Sequence, residues 1–205
     1  MQTQFLPADS PDVIETALQI LRAGGLVAFP TDTVYGVGAL AFEAAAVRSI
    51  YVAKNRPDDK AIPVLLADAA ELAQVAREVS DGARRLAAHF WPGPLTIVVQ
   101  KQPALPDAVS AADTVGVRVP DHPLARGLLL RTGPMAVTSA NFSGQASPRT
   151  AGEVLRQLGG RIGLIIDGGA TPGGVPSTVV DCTGAEPVVV RAGPISLEDI
   201  RQVWT

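Results

Sequence analysis

LTIVVQKQPALPDAVSAADTVGVRVP, residues 95–120, decides the fold class. Its two ends, 95–100 and 115–120, are short runs rich in β-branched residues, and each reads as a strand. The segment between them carries two prolines, scattered alanines and acids, and no helical period. Two strands with no helix between them do not form the repeating unit of a purely parallel sheet.

On the N-terminal side the pattern is different. Ser10-Pro11-Asp12 reads as a helix start, followed by apolar residues Val13, Ile14, Ala17, Leu18 and Leu21 at helical spacing and a stop at Gly24-Gly25. LVAFP (26–30) reads as a strand, 43–54 as a helix and IPVLLA (62–67) as another strand. Asp68 with Glu71 and then Ser80 open further helices, the second stopping at WPGP (91–94). Towards the C-terminus come a helix over 121–131, a strand at MAVT (135–138), a helix capped by Thr150 with Glu153, the strands GLIID, STVVD and EPVVVR, and a last helix begun by Ser196 with Asp199. Helix and strand alternate early, and strands follow one another late. The prediction is an α/β fold with a twisted, mixed parallel/antiparallel sheet flanked by helices, as one domain over 1–205.

The bulk numbers fit a packed core and exclude several classes. The 205 residues are 47% hydrophobic and 18% charged, with a net charge of −3. That charge argues against a surface built all over to grip nucleic acid, although a local basic patch is compatible with it. A single cysteine, Cys182, excludes an intrachain disulfide and suits a reducing cytoplasm; it reads as a small buried hydrophobe. No apolar run approaches the roughly 20 residues of a membrane span, and no leader peptide is visible. His89 and His122, far apart, make no metal site, and no residue stands out as a covalent nucleophile.

Four polar clusters sit at the ends of elements: PTDTVYGVGA (30–39), AKNRPDDK (53–60), VRVPDHP (117–123) and TSANFSG (138–144). Loops of this kind gather at the carboxyl ends of strands, where α/β sheets bind ligands. There is no Walker P-loop; Gly36-Val37-Gly38 reads as glycines of a tight turn, and not as a dinucleotide fingerprint. Lys54 and Arg56 close a helix, where cations offset the dipole. If the chain runs extended towards Pro57, alternation would aim both the same way, and with hydroxyls and an amide they suit a polyphosphate. Arg118 lies within an apolar strand and needs an anion, either an internal acid such as Asp113 or Asp121, or a ligand carboxylate.

Taken in order, GGLVAFPTDTVYGVGA, AKNRP, FWPGPLT, VGVRVPDHP, TSANFSG and GVPSTVVD resemble the YrdC-like L-threonylcarbamoyladenylate synthases over about residues 10–194. The resemblance implies a YrdC-like fold with a concave ligand-binding face. It implies a reaction of L-threonine, bicarbonate and ATP, the nucleotide carrying Mg2+, to give threonylcarbamoyl-AMP and pyrophosphate. No protein-held metal is implied. Downstream tRNA threonylcarbamoyltransferase proteins use the product on the adenosine beside the anticodon, with weak tRNA contact by this chain as a further expectation. By the same resemblance Lys54 and Arg56 act on phosphates or bicarbonate, and Ser139, Asn141 and Arg191 reach the nucleotide. Thr33, Tyr35, Arg118, Thr138 and Ser177 serve the threonine. Two departures stand out. Some longer relatives carry a histidine where this chain reads Ile62-Pro63-Val64-Leu65-Leu66, and they append a second domain, so this sequence resembles a short, single-domain branch. The sequence is also compatible with two rivals, a non-enzymatic RNA-binding module and an enzyme that forms a carbamoyl adenylate from carbamoyl phosphate.

Overall fold

Leu95–Lys101 and Thr114–Arg118 do pair, antiparallel, with Ile97 opposite Val117. In the computed structural model, which describes residues 2–204, they are two of the eleven strands of one sheet. In chain order the strands are β1 (Gln4–Pro7), β2 (Val27–Phe29), β3 (Gly36–Leu40), β4 (Val64–Leu65), β5 (Ala76–Glu78), β6 (Leu95–Lys101), β7 (Thr114–Arg118), β8 (Met135–Ser139), β9 (Leu164–Asp167), β10 (Thr178–Asp181) and β11 (Val188–Arg191). The helices are α1 (Val13–Arg22), α2 (Ala44–Lys54), α3 (Asp81–Phe90), α4 (Pro123–Thr132), α5 (Ala151–Leu158) and α6 (Leu197–Trp204). The sheet order is β1-β9-β2-β3-β8-β4-β7-β6-β10-β11, with β5 paired to β6 beside this path. Four pairings, β1 with β9, β9 with β2, β4 with β7 and β6 with β10, are parallel; the others are antiparallel. The mixed sheet follows.

Successive side chains point to opposite faces of a strand, and the core divides accordingly. Ala28, Val37, Val64, Ile97, Val117, Ala136 and Ile165 join the helices α2, α3 and α5 on one face. Val27, Phe29, Leu65, Met135, Val137, Leu164 and Ile166 join α1 and α4 on the other. The spacing of Val13, Ala17, Leu18 and Leu21 lays one stripe of α1 on that second face, each large side chain worth about 1.5–3 kcal/mol when fully buried. The helices of the second face cover only part of it. Beyond them β6, β7 and β10 turn Thr96, Val98, Gly116, Arg118 and Val179 towards a cavity.

Several local expectations change. Ser10 does not cap α1; its N-cap is Asp12, without a side-chain bond. The strand expected over 62–67 is only Val64–Leu65, and the segment after Asp68 is a 3-10 turn over Ala69–Gln74. Gly36 and Gly38 do not form a tight turn. They lie inside β3, in the middle of the sheet, because β8 crosses close by: a Cβ on Gly36 would stand 2.7 Å from Val137 Cγ1, and one on Gly38 2.7 Å from Val137 Cγ2. Val137 supplies the bulk that the glycines lack. The Thr150–Glu153 capping box is present as expected, and Ser80 accepts from Ala83 N at the start of α3.

Candidate active site

The cavity has a volume of about 560 Å³ and is lined from seven stretches of chain between Thr31 and Arg191. All ten residues singled out in the sequence, Thr33, Tyr35, Lys54, Arg56, Arg118, Thr138, Ser139, Asn141, Ser177 and Arg191, are among its lining residues. Five cations line it, Lys54, Arg56, Lys60, Arg118 and Arg191, and no aspartate or glutamate does among the described residues. On a chain whose net charge is −3, that is a concentrated positive region.

Lys54 is the last residue of α2. The chain then makes a left-handed turn at Asn55 (φ 49°), which closes the helix as Arg56 N donates to Tyr51 O at 2.9 Å. The two cations therefore reach the cavity across a helix cap and not along an extended segment. Lys54 Nζ donates to the backbone carbonyls of Ser139 and of Asn141 (2.5 Å), and Lys54 O accepts from Ser143 N at 2.9 Å. Burial, with a smaller contribution from Arg56, pushes the Lys54 pKa down to about 7. The Arg56 guanidinium donates to Lys60 O (3.1 Å) and Ala61 O (2.8 Å), which holds the following loop against the cavity.

TSAN does two things. Its carbonyls hold Lys54, while the hydroxyls of Thr138, Ser139 and Ser143 stand on the lining. Asn141 spends its amide N–H groups on Phe142 O (2.7 Å) and Gln145 O (2.8 Å), so its side chain shapes the loop that presents Ser139.

Arg118 finds its anion, and it is neither Asp113 nor Asp121. Nη2 donates to Asp32 Oδ1 at 2.5 Å, Nη1 to Thr33 Oγ1 at 3.0 Å and Nε to Gly93 O at 2.9 Å. Asp32 also accepts from Asp121 N (3.2 Å). Three of the five guanidinium N–H groups are thus fixed, and two have no protein partner among the described residues. Burial lowers the Arg118 pKa and Asp32 opposes that shift; the guanidinium stays charged. The WPGP turn supplies Gly93, so it is part of the site's framework.

Arg191 donates through Nε and Nη2 to Ser177 O (3.1 and 2.8 Å) and through Nη2 to Ser177 Oγ (3.1 Å), whose hydroxyl pairs with Thr96 Oγ1 at 2.8 Å. Tyr35 is fully buried, its hydroxyl donating to Gly169 O (2.7 Å) and accepting from Gly168 N (3.1 Å), so it braces the wall and offers no free hydroxyl. Leu65 stands on the lining with Pro63 and Val137 as an apolar part of the wall. His122 N-caps α4 with Pro123 behind it and does not line the cavity. Cys182 is buried, its thiol pushed up to about 12 chiefly by burial, which makes it inert. Asp32, Lys60 and Thr96 were not singled out in the sequence; Asp32 had the clearest signal, an acid three residues beyond the end of a buried strand.

Compared with known proteins, residues 19–193 match the family profile Sua5_yciO_yrdC, described as Telomere recombination. The chain belongs to the Sua5/YciO/YrdC family. It is 45% identical over 93% of its length to the threonylcarbamoyl-AMP synthase of Pyrococcus abyssi, and 43% identical over 98% to that of Bacillus subtilis. It covers 56% and 59% of those two proteins, so this Sua5/YciO/YrdC chain spans little more than half of their length. Among solved structures, P. abyssi Sua5 complexed with L-threonine superposes with a TM-score of 0.93 at 41% identity, covering 99% of this chain and 61% of that one.

Proposed function

We propose that the protein is a threonylcarbamoyl-AMP synthase, joining L-threonine, bicarbonate and ATP into threonylcarbamoyl-AMP and pyrophosphate. The observation that carries the reading is a cavity with five cations, several free hydroxyls and no carboxylate on its lining. Such a cavity suits the joint burial of a polyphosphate and a carboxylate. The relatives named threonylcarbamoyl-AMP synthase, and the threonine complex of a similar protein, support it.

The two free N–H groups of Arg118 take the threonine carboxylate, with Asp32, Thr33 and Gly93 holding the fork in place. Thr33, Thr138 and Ser177 surround the amino acid. Lys54 and Arg56 neutralise the phosphates, Ser139 donates to a phosphate oxygen, Asn141 keeps that loop in shape, and the remaining Arg191 N–H groups reach the nucleotide. Threonine's nitrogen first forms a bond to the carbon of bicarbonate, a C–OH bond breaks and water leaves, giving the carbamate. A carbamate oxygen then attacks the α-phosphorus, the bond to the β-phosphate breaks and pyrophosphate leaves. This chemistry calls for alignment and charge compensation more than for a protein nucleophile.

Among the described residues no cluster of three or more His, Cys, Asp or Glu could hold a metal. A Mg2+ arriving on the nucleotide would meet neutral oxygens on the lining, such as those of Thr138, Ser139 and Ser143, and would supply charge neutralisation there. The product passes to partner proteins that modify tRNA, in the cytoplasm. No described helix is long and apolar enough to cross a membrane. The test is turnover: purified protein with ATP, Mg2+, L-threonine and bicarbonate, followed by chromatography and mass spectrometry. Threonine- and bicarbonate-dependent threonylcarbamoyl-AMP is expected. ATP binding with no such product, partner proteins added, would overturn the reading.

A further inference from the structure

Lys54 is 1% exposed, and its amine has no carboxylate partner. Lysine is rarely buried so fully without one. Its two bonds go to neutral backbone carbonyls of Ser139 and Asn141. A tetrahedral nitrogen has four directions. One is Cε, two are the N–H groups aimed at these carbonyls, and one is left, on a residue that lines the cavity. In the ammonium that fourth position holds a third proton; in the neutral amine it holds a lone pair. Both carbonyl bonds survive in either form, so a proton can come and go at Nζ without releasing the side chain.

The charges around Lys54 agree. Arg56 stands at the same helix end, and Lys60, Arg118 and Arg191 line the same cavity. Asp32 lies behind Arg118 and is bonded to it. Burial and Arg56 bring the Lys54 pKa to about 7, so both forms are populated in the free protein at neutral pH.

The synthase reading, on which the following rests, requires a base. Threonine arrives as an ammonium, and only a neutral amine attacks the carbon of bicarbonate. We propose that Lys54 is that base, taking up the proton released when the threonine amine is carboxylated, before the phosphates settle against it. The step balances as threonine–NH3+ + HCO3− + Lys54–NH2 giving threonine–NH–COO− + H2O + Lys54–NH3+. The N–C bond forms and a C–OH bond breaks. One amine proton leaves in the water and one stays on Nζ. Nothing is oxidised. The proton that frees the nucleophile also charges the ammonium beside the α-phosphorus, where negative charge then builds on the departing pyrophosphate.

Two measurements test this. Lys54→Arg keeps the charge and removes the base, since arginine does not give up its proton in proteins. Turnover of the folded variant at pH 7 with saturating ATP should fall about 100-fold or more, the usual size of general-base catalysis. The deficit should shrink towards pH 9.5, where free threonine brings its own neutral amine. Turnover close to wild type at pH 7, or a deficit that is constant with pH, overturns the assignment. The chain has three lysines, Lys54, Lys60 and Lys101, so 13Cε-lysine spectra of the wild-type protein carry three signals. One should titrate near neutrality in the free protein and stay charged with ATP bound. If Lys54→Arg does not fold, this titration decides, and a Lys54 still protonated at pH 9.5 in the free protein overturns the proposal. Absence of product from the wild type is a separate outcome; it removes the synthase reading itself.

Discussion

Replacing Arg118 with alanine tests both the architecture and the chemistry of the site. The change removes three hydrogen bonds, to Gly93 O, Thr33 Oγ1 and Asp32 Oδ1. It leaves Asp32, whose side chain is 13% exposed, with Asp121 N at 3.2 Å as its remaining donor. Breaking a buried ion pair in this way costs about 3–5 kcal/mol. At roughly 2–4 °C per kcal/mol for a chain of this size, Tm should fall by about 6–20 °C. Adding Asp32→Asn removes the stranded charge and should return about 1–3 kcal/mol. The ligand effect is separate. Two lost charge-assisted bonds to a carboxylate, at about 1.5–3 kcal/mol each, should weaken threonine binding by about 100-fold or more, at roughly 1.4 kcal/mol per decade. ATP affinity should move by less than about threefold, because Lys54 and Arg56, the cations proposed to face the phosphates, are untouched. Calorimetric titration of each ligand on the folded variant reads both numbers. Equal losses for threonine and ATP would refute the carboxylate role, and a Tm shift under about 2 °C would refute the buried pair.

Three further outcomes follow from the same geometry. Lys54 has a pKa of about 7 and phosphates favour its charged form, so ATP binding should draw in a fraction of a proton at pH 7, rising towards one by pH 9, and affinity should decline over that range; calorimetry in two buffers of different ionisation heat would expose a lack of proton uptake. Gly36→Ala drives a Cβ to 2.7 Å from Val137 Cγ1 and should cost about 1–3 kcal/mol, with much of it recovered by adding Val137→Ala; urea denaturation measures both. Thr150→Ala removes the capping box of α5 and should cost about 0.5–2 kcal/mol without changing threonine affinity, which a thermal melt and a titration check together.

The strands that were legible, β2, β6, β7, β8, β9, β10 and β11, are short apolar runs, most of them rich in β-branched residues, whose own preference agrees with their place. β3 was hidden. Its two glycines and the polar run before it read as a loop, and the strand exists because β2 and β8 supply ladders on both sides and Val137 fills the space above. β1 was hidden for another reason: QFLP is a short, largely exposed edge strand with a proline. In the site, isolated cations in apolar or turn contexts announced themselves, because a buried charge needs a partner. The partners did not. Asp32 lies 86 residues from Arg118 and Thr96 lies 81 from Ser177, and no local pattern links them. The left-handed residue at Asn55 was equally silent, since asparagine enters that conformation only where the surrounding chain asks for it.

The seven stretches that line the cavity lie as far apart in the chain as Thr31 and Arg191, yet their strands are hydrogen-bonded neighbours. A molecule bound there acts as a clasp across the whole sheet. No contiguous fragment holds more than a corner of it, so occupancy stabilises the complete fold and nothing less, by an amount that grows with the logarithm of free ligand. Amide deuterium exchange in β6, β7, β8 and β10 would slow together on loading. Inside a cell, a copy starved of its small molecules would open more often and meet proteases sooner, so metabolite supply would govern the survival of the protein as well as its output.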